Sequence, residues 1–164
     1  MSATSAVDNP ASKNLDIVIP RLSRTYGPTM QMSDSKAIAQ FIKNAVRKED
    51  IVLKSEGNQL YSYTYVADAV SAILYILSNG ECGQAYNIAD KKSNKTLKEI
   101  AQILAEKSEV KLIFELPDAK EAQGYSKATK ALLDAKKLEE LGWRSHSDIE
   151  VGLSETVDII RWLK

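Results

Sequence analysis

The chain has 164 residues, enough for one domain with a sizeable core. Its 22 basic and 22 acidic side chains balance, so no overall field draws it onto nucleic acid or an anionic membrane. No apolar run reaches membrane-spanning length, no secretory leader is visible, and the one cysteine, Cys82, has no partner for an internal disulfide, which makes a cytoplasmic setting the default.

Residues 1–14, MSATSAVDNPASKN, are small, polar and aperiodic, and read as a disordered or added leader outside the fold. Residues 15–164 form the folded portion. Asp16 to Ile19 is a short β-branched run closed by Pro20, read as a buried strand. A polar stretch through Tyr26-Gly27-Pro28 reads as loop and turn. Apolar residues at Ala37, Ile38, Phe41, Ile42, Ala45 and Val46 predict a helix, with Ser33 or Asp34 as its N-cap. Ile51 to Leu53 reads as a strand and Glu56-Gly57-Asn58 as a turn.

Tyr61 to Tyr65 alternates tyrosine with Ser and Thr, the pattern of a half-buried strand. Val66 to Leu77 predicts an apolar helix ended by Asn79-Gly80. Ala85 to Ala89 is a further strand. Thr96 and Glu99 have capping-box spacing and open a helix to about Lys107, with Leu97, Ile100, Ala101 and Leu104 inward. Val110 to Phe114 alternates as a strand, and Pro117 to Lys130 reads as a polar loop. Asp134 caps a short helix stopped by Gly142. Asp148 starts a last helix with Val151, Leu153, Val157, Ile160 and Leu163 inward. Strands alternating with helices predict an α/β fold.

Little in this sequence looks catalytic. His146 sits in a polar turn, and one histidine with one cysteine cannot assemble a His/Cys zinc site. Cys82 lies in a turn with no local group to activate it. The seven glycines are scattered and form neither G-x-G-x-x-G nor a Walker pattern, and no tyrosine has a lysine four residues later.

Four stretches, DIVIPRLSRTYGP, GNQLYSYTYVADAVSAILYIL, GQAYNIAD and LDAKKLEELGW, carry a resemblance in their order and spacing. Together they resemble successive landmarks of the extended short-chain dehydrogenase/reductases, the NAD-dependent epimerases and dehydratases of nucleotide-diphosphate sugars. The resemblance runs from about Leu15 to the C-terminus. It implies the last strands of a Rossmann-like sheet plus the small C-terminal substrate-binding domain. It also implies that the Gly-rich loop and the Tyr-x-x-x-Lys pair of the family lie upstream. The expected object is a substrate-binding C-terminal fragment, inactive alone. NAD(P) would belong to the full-length parent, an isomerase or lyase, and none is expected bound to this chain. The alternative is a non-catalytic module that binds a nucleotide sugar or a protein.

The resemblance implies that the loop after the first strand touches the sugar nucleotide through Ser23, Arg24 and Thr25. Many members carry Asn where Arg24 stands. A guanidinium forks onto phosphate, so Arg24 either meets substrate with altered chemistry or is a solvated charge. Members commonly place a diphosphate-binding arginine where this chain has Tyr61, and a neutral phenol cannot replace that charge. Lys127 and Lys130 stand near family arginines that reach the diphosphate, and Lys54 stands where family chains wrap the nucleotide. Lys127 and Lys130 are equally readable as surface residues. Tyr63 and Tyr65 read as packing, Asp68 as a helix-start carboxylate, and Asn87 as a tie between strand and loop. The implied ligand is a nucleotide-diphosphate sugar, with neither nucleic acid nor membrane as partner. An open edge on the DIVI strand predicts a dimer or larger assembly that buries it.

Overall fold

In the computed structural model, residues 15–115 and 129–163 are described and form a mixed α/β fold. The strands are β1 (Ile19–Leu22), β2 (Arg24–Tyr26), β3 (Ile51–Leu53), β4 (Leu60–Tyr65), β5 (Ala85–Ile88), β6 (Asn94–Thr96), β7 (Leu112–Phe114) and β8 (Lys130–Ala131). The helices are α1 (Ala37–Arg47), α2 (Val66–Asn79), α3 (Leu97–Ser108), α4 (Lys136–Leu141) and α5 (Ile149–Trp162).

β4 is the hub. Its second half runs parallel to β2, with Arg24 opposite Tyr63, and its first half is flanked by antiparallel β6 and parallel β8. Parallel β1 and β5 make a second sheet, and parallel β3 and β7 a third. α1, α3 and α5 pack on one another around β3 and β4, closing a large core that includes Phe41, Ile42, Ile51, Tyr63, Leu104, Leu153 and Val157. A smaller core joins α2, β5 and α4 through Ala72, Ile76, Tyr86, Ile88 and Leu138, with Trp143.

Local chemistry explains the helix ends. The Thr96 hydroxyl accepts from Glu99 N–H at 3.1 Å while Glu99 Oε2 accepts from Thr96 N–H at 2.7 Å, the reciprocal capping box. Asp148 caps α5 by accepting from Val151 N–H at 2.9 Å. Gly142 ends α4 at φ 117°, a conformation that suits glycine. Tyr26 packs at 5.8 Å from the Tyr65 ring, and Met30 N–H closes the following turn on Gly27 C=O at 3.1 Å.

Several sequence expectations change. The first strand is not a buried Asp16–Ile19 run but Ile19–Leu22, and only Ile19 of the four is even half-buried. It continues through Pro20 because that proline sits on an edge. Ile19 N–H and Ser23 N–H both turn toward β5, so the donor Pro20 lacks would face away from it, where no strand pairs among the described residues. Part of the expected loop, Arg24–Tyr26, is strand β2, and Lys130 belongs to strand β8 rather than to a loop. β4 is buried on both faces rather than one, because Ser62 and Thr64 are as covered as the tyrosines.

Neither Ser33 nor Asp34 caps α1. Its N-cap is Lys36, whose backbone N–H Asp34 takes at 2.9 Å in a turn one step upstream. α4 starts after Ala135, and Asp134 accepts from Lys136 N–H just outside it. The strand expected from Val110 begins at Leu112. On α5, Val151 and Leu163 are exposed, and Gly152 and Thr156 take the inward face with Leu153, Val157 and Ile160, since the buried stripe starts at Ile149.

Candidate functional site

A cavity of about 640 Å³ opens where α1, β2, β3 and β4 meet. Alternation along the chain into β4 builds one wall: Gln59, Tyr61 and Tyr63 share a face, and Arg24 stands beside Tyr63 in the neighbouring strand. The end of β3 contributes Leu53, Lys54 and Ser55. α1 adds Lys36, Gln40 and Asn44, spaced four apart along one stripe.

Three cations line this cavity, Arg24, Lys36 and Lys54, and no carboxylate lines it among the described residues. Lys36 is paired with Asp34 at 3.2 Å. The Arg24 guanidinium lies 3.6 Å from the centroid of the Tyr61 ring, a cation–π contact that fixes its plane and leaves its edge donors for a ligand. The Tyr61 ring in turn meets Tyr63 edge-on at 6.5 Å and 83°. Burial pushes the Tyr63 phenol well above its ordinary pKa; Arg24 pulls it down and Tyr61 adds to the rise. That phenol therefore stays protonated, a hydrogen-bond donor and not a base. The described wall carries cations, amides and phenols, and no histidine, thiol or carboxylate.

The residues singled out from sequence divide. Arg24, Lys54 and Tyr61 come together at this cavity. Ser23 and Thr25 do not line it. Ser23 is the crossing point between sheets: its hydroxyl shares a 2.6 Å hydrogen bond with Thr64 Oγ1, and its N–H donates to Ile88 C=O at 3.1 Å. Thr25, on the other face of β2, is exposed and donates to Ser23 C=O at 3.4 Å. Lys130 is exposed on β8, opposite Leu60 and outside the cavity wall. Lys127 lies outside the described residues. Gln59, Tyr63 and the α1 stripe were not among the expected site residues. The period-two step from Tyr61 to its neighbours and the spacing of Lys36, Gln40 and Asn44 are the signals that point to them.

A second cavity, of about 500 Å³, is lined by charges of both signs, including Asp90, Lys91, Glu139, Arg144 and Asp148. Beside it, buried Asp68 accepts from Ser145 Oγ at 2.9 Å and from His146 and Ser147 N–H at 3.0 Å each. It ties α2 to the segment before α5. The His146 side chain is exposed, with Nδ1 3.5 Å from Asp68. Asn87 ties β5 to the Asp134 carbonyl at 2.8 Å. Among the described residues no cluster of potential ligands could hold a metal ion, and no helix is long and apolar enough to cross a membrane.

Residues 2–89 match the NAD dependent epimerase/dehydratase family. The chain belongs to that family. It is 31% identical, over 90% of its own length, to a trifunctional UDP-glucose 4,6-dehydratase/UDP-4-keto-6-deoxy-D-glucose 3,5-epimerase/UDP-4-keto-L-rhamnose-reductase of Arabidopsis thaliana, of which it spans 21%. The fold matches that of UDP-glucose 4-epimerase from Thermotoga maritima, solved with UDP-glucose, at a TM-score of 0.76 and 25% identity. That match covers 89% of this chain and 46% of the epimerase. The dTDP-glucose 4,6-dehydratase of Streptomyces venezuelae, solved with NAD, shares the fold at a TM-score of 0.76 and 24% identity, over 97% of this chain and 47% of that one. The chain thus spans about half the length of these two solved Rossmann-fold enzymes and about a fifth of the plant relative, as the sequence resemblance implies.

Proposed function

We propose that this chain is the substrate-binding portion of a nucleotide-sugar epimerase or dehydratase, and that the cavity bounded by Arg24, Lys54 and Tyr61 holds the nucleotide-diphosphate sugar. One observation carries the reading: in a chain whose charges balance, three cations and no carboxylate line the described wall of the cavity between α1 and the β3 and β4 strands. Such a wall suits a phosphorylated ligand. Arg24 supplies the forked donor for the diphosphate, with Tyr61 as the ring that holds its plane. The charge missing at position 61 is thereby restored from the neighbouring strand. Lys54 adds a point charge from the end of β3. Ser23 and Thr25 set the path of the strand that presents Arg24, and Lys127 and Lys130 are further candidates for the outer phosphate.

NAD(P) supplies hydride transfer in such enzymes. The described residues do not fit its pyrophosphate. The five helices begin after Lys36, Tyr65, Thr96, Ala135 and Asp148, with no Gly-rich loop before any of them. No catalytic step is assigned to this chain, which by itself is expected to be inactive.

Calorimetry with UDP, UDP-glucose, UDP-glucuronic acid and dTDP-glucose tests the reading. Saturable binding is expected, weakened about tenfold in Arg24→Gln, the cost of one charge-assisted contact at roughly 1.4 kcal/mol. Silence across the panel would overturn it, and tight binding of NAD alone would reassign the cavity.

A second reading concerns assembly. β1 pairs with β5 alone among the described residues, and Leu22, Val70, Leu74 and Leu77 expose apolar surface on β1 and on α2, which packs against it. Parallel sheets are rarely left so open. A second copy pairing at the β1 edge would cover it. Light scattering on the eluting protein should then report a dimer, and a monodisperse monomer would remove this reading without touching the first.

A further inference from the structure

The two faces of β4 treat their polar groups differently. On the face away from the cavity, Ser62 Oγ donates to Asn94 Oδ1 at 2.7 Å and accepts from Leu133 N–H at 3.0 Å. On that same face Thr64 Oγ1 meets Ser23 Oγ at 2.6 Å. On the cavity face, Gln59 Oε1 and the Tyr63 hydroxyl are buried with no hydrogen-bond partner among the described residues. The Tyr63 side chain is fully buried, at 0% exposure, yet its residue lines the cavity. A buried polar atom left unpaired is costly, and most such atoms in folded proteins have partners. Phenylalanine would pack here without that cost.

The two groups define what would satisfy them. Gln59 Oε1 accepts only, so it needs a donor. The Tyr63 hydroxyl both donates and accepts. Arg24, beside Tyr63 across the β2–β4 pair, is already suited to the anionic part of a ligand. The remaining group is neutral and presents donor and acceptor side by side. Adjacent hydroxyls on a sugar ring do this, since each gives one hydrogen and accepts at its lone pairs. We propose that Gln59 and Tyr63 are specificity-determining residues that read a vicinal pair of ring hydroxyls on the ligand whose phosphate Arg24 holds. The inference rests on the nucleotide-sugar reading above. The hydroxyl pair comes from either of two sources, the ribose or the hexose.

Titration of UDP-glucose, UDP and 2′-deoxy-UDP into the wild-type chain, Tyr63→Phe and Gln59→Leu separates the outcomes. Tyr63→Phe should bind UDP-glucose about threefold to tenfold more weakly, the worth of one hydrogen bond. Its ligand-free melting temperature should be unchanged or raised, because it removes an unsatisfied hydroxyl. A loss seen with UDP-glucose and not with UDP places the hexose hydroxyls there. A loss shared by UDP and absent with 2′-deoxy-UDP places the ribose. Equal losses on all three ligands would put the hydroxyl on a phosphate and overturn the inference. So would unchanged affinities in both variants, or a lower melting temperature in Tyr63→Phe. If the wild-type chain binds none of the three, the nucleotide-sugar reading itself fails, a result distinct from binding that ignores the substitutions.

Discussion

β4 has strand neighbours on both edges and buried residues on both faces, whereas β1 has one strand neighbour among the described residues and three of its four residues are exposed. The chain passes from the one sheet to the other through a single residue: Leu22 ends β1, Ser23 crosses, and Arg24 starts β2 against β4. The half built on β4 holds the larger core and the candidate site, and the half built on β1 and β5 holds a smaller core under α2 and α4. A binding wall needs side chains held by packing behind it, and only the first half supplies that depth. In the second half, β1 pairs along one edge among the described residues, and the chain spans about half of its solved relatives.

Core truncation is the largest test of this difference. Leu153→Ala, on α5 in the larger core and fully buried, should cost about 4 kcal/mol, because three helices fix the space it leaves. Leu138→Ala, equally buried in the smaller core, should cost about 2 kcal/mol, because α4 has only six residues and can settle inward. Urea denaturation measures both, and equal losses would break the comparison.

Asp68 comes next, because it joins the halves. Asp68→Ala leaves Ser145 Oγ and the N–H groups of His146 and Ser147 without their acceptor and should cost about 2–3 kcal/mol. A loss under 1 kcal/mol would show that water replaces the carboxylate and that the halves are held together elsewhere. Thr64→Val is gentler. It removes the partner of Ser23 at the crossing point, and about 1 kcal/mol should go with it. Hydrogen exchange should quicken at the Ser23 amide while the β4 amides stay protected; uniform quickening would mean the halves open as one unit.

The sequence made the helices and the apolar three-residue β3 legible and left the short polar strands hidden, for physical reasons. α3 and α5 announce themselves through Thr96 with Glu99 and through Asp148, groups whose hydrogen bonds are local. β2, β6 and β8 are three, three and two residues long, too short for alternation to register, and they exist because β4 offers them edges. At the candidate site, Arg24, Lys54 and Tyr61 were reachable through the family resemblance. Tyr63 was read as packing, which its burial supports, but its unpaired hydroxyl is a property of the folded wall that no local pattern reveals. In sequence, Arg24 and Tyr61 are two separate departures from the family pattern. The 3.6 Å contact makes them one arrangement.

The smallest expected effect lies in the capping box of α3, whose Glu99 carboxylate the Thr96 N–H and hydroxyl hold below its ordinary pKa, with Lys95 adding to the shift. A depressed carboxylate contributes stability above its unfolded pKa, near 4.3, and loses that contribution as pH falls through the lower folded value. Glu99→Gln keeps the capping geometry and removes the charge. The variant should therefore match the wild type at acidic pH and trail it by a few tenths of a kcal/mol at neutral pH, a small figure because the side chain is half-exposed and solvent screens it. Melting curves from pH 3 to about pH 7 read this directly, that window bracketing the ordinary carboxylate range. A gap that persists at the acid end would assign the loss to geometry instead of charge. It would also show that α3, and with it the wall of the larger core, depends on the shape of its cap.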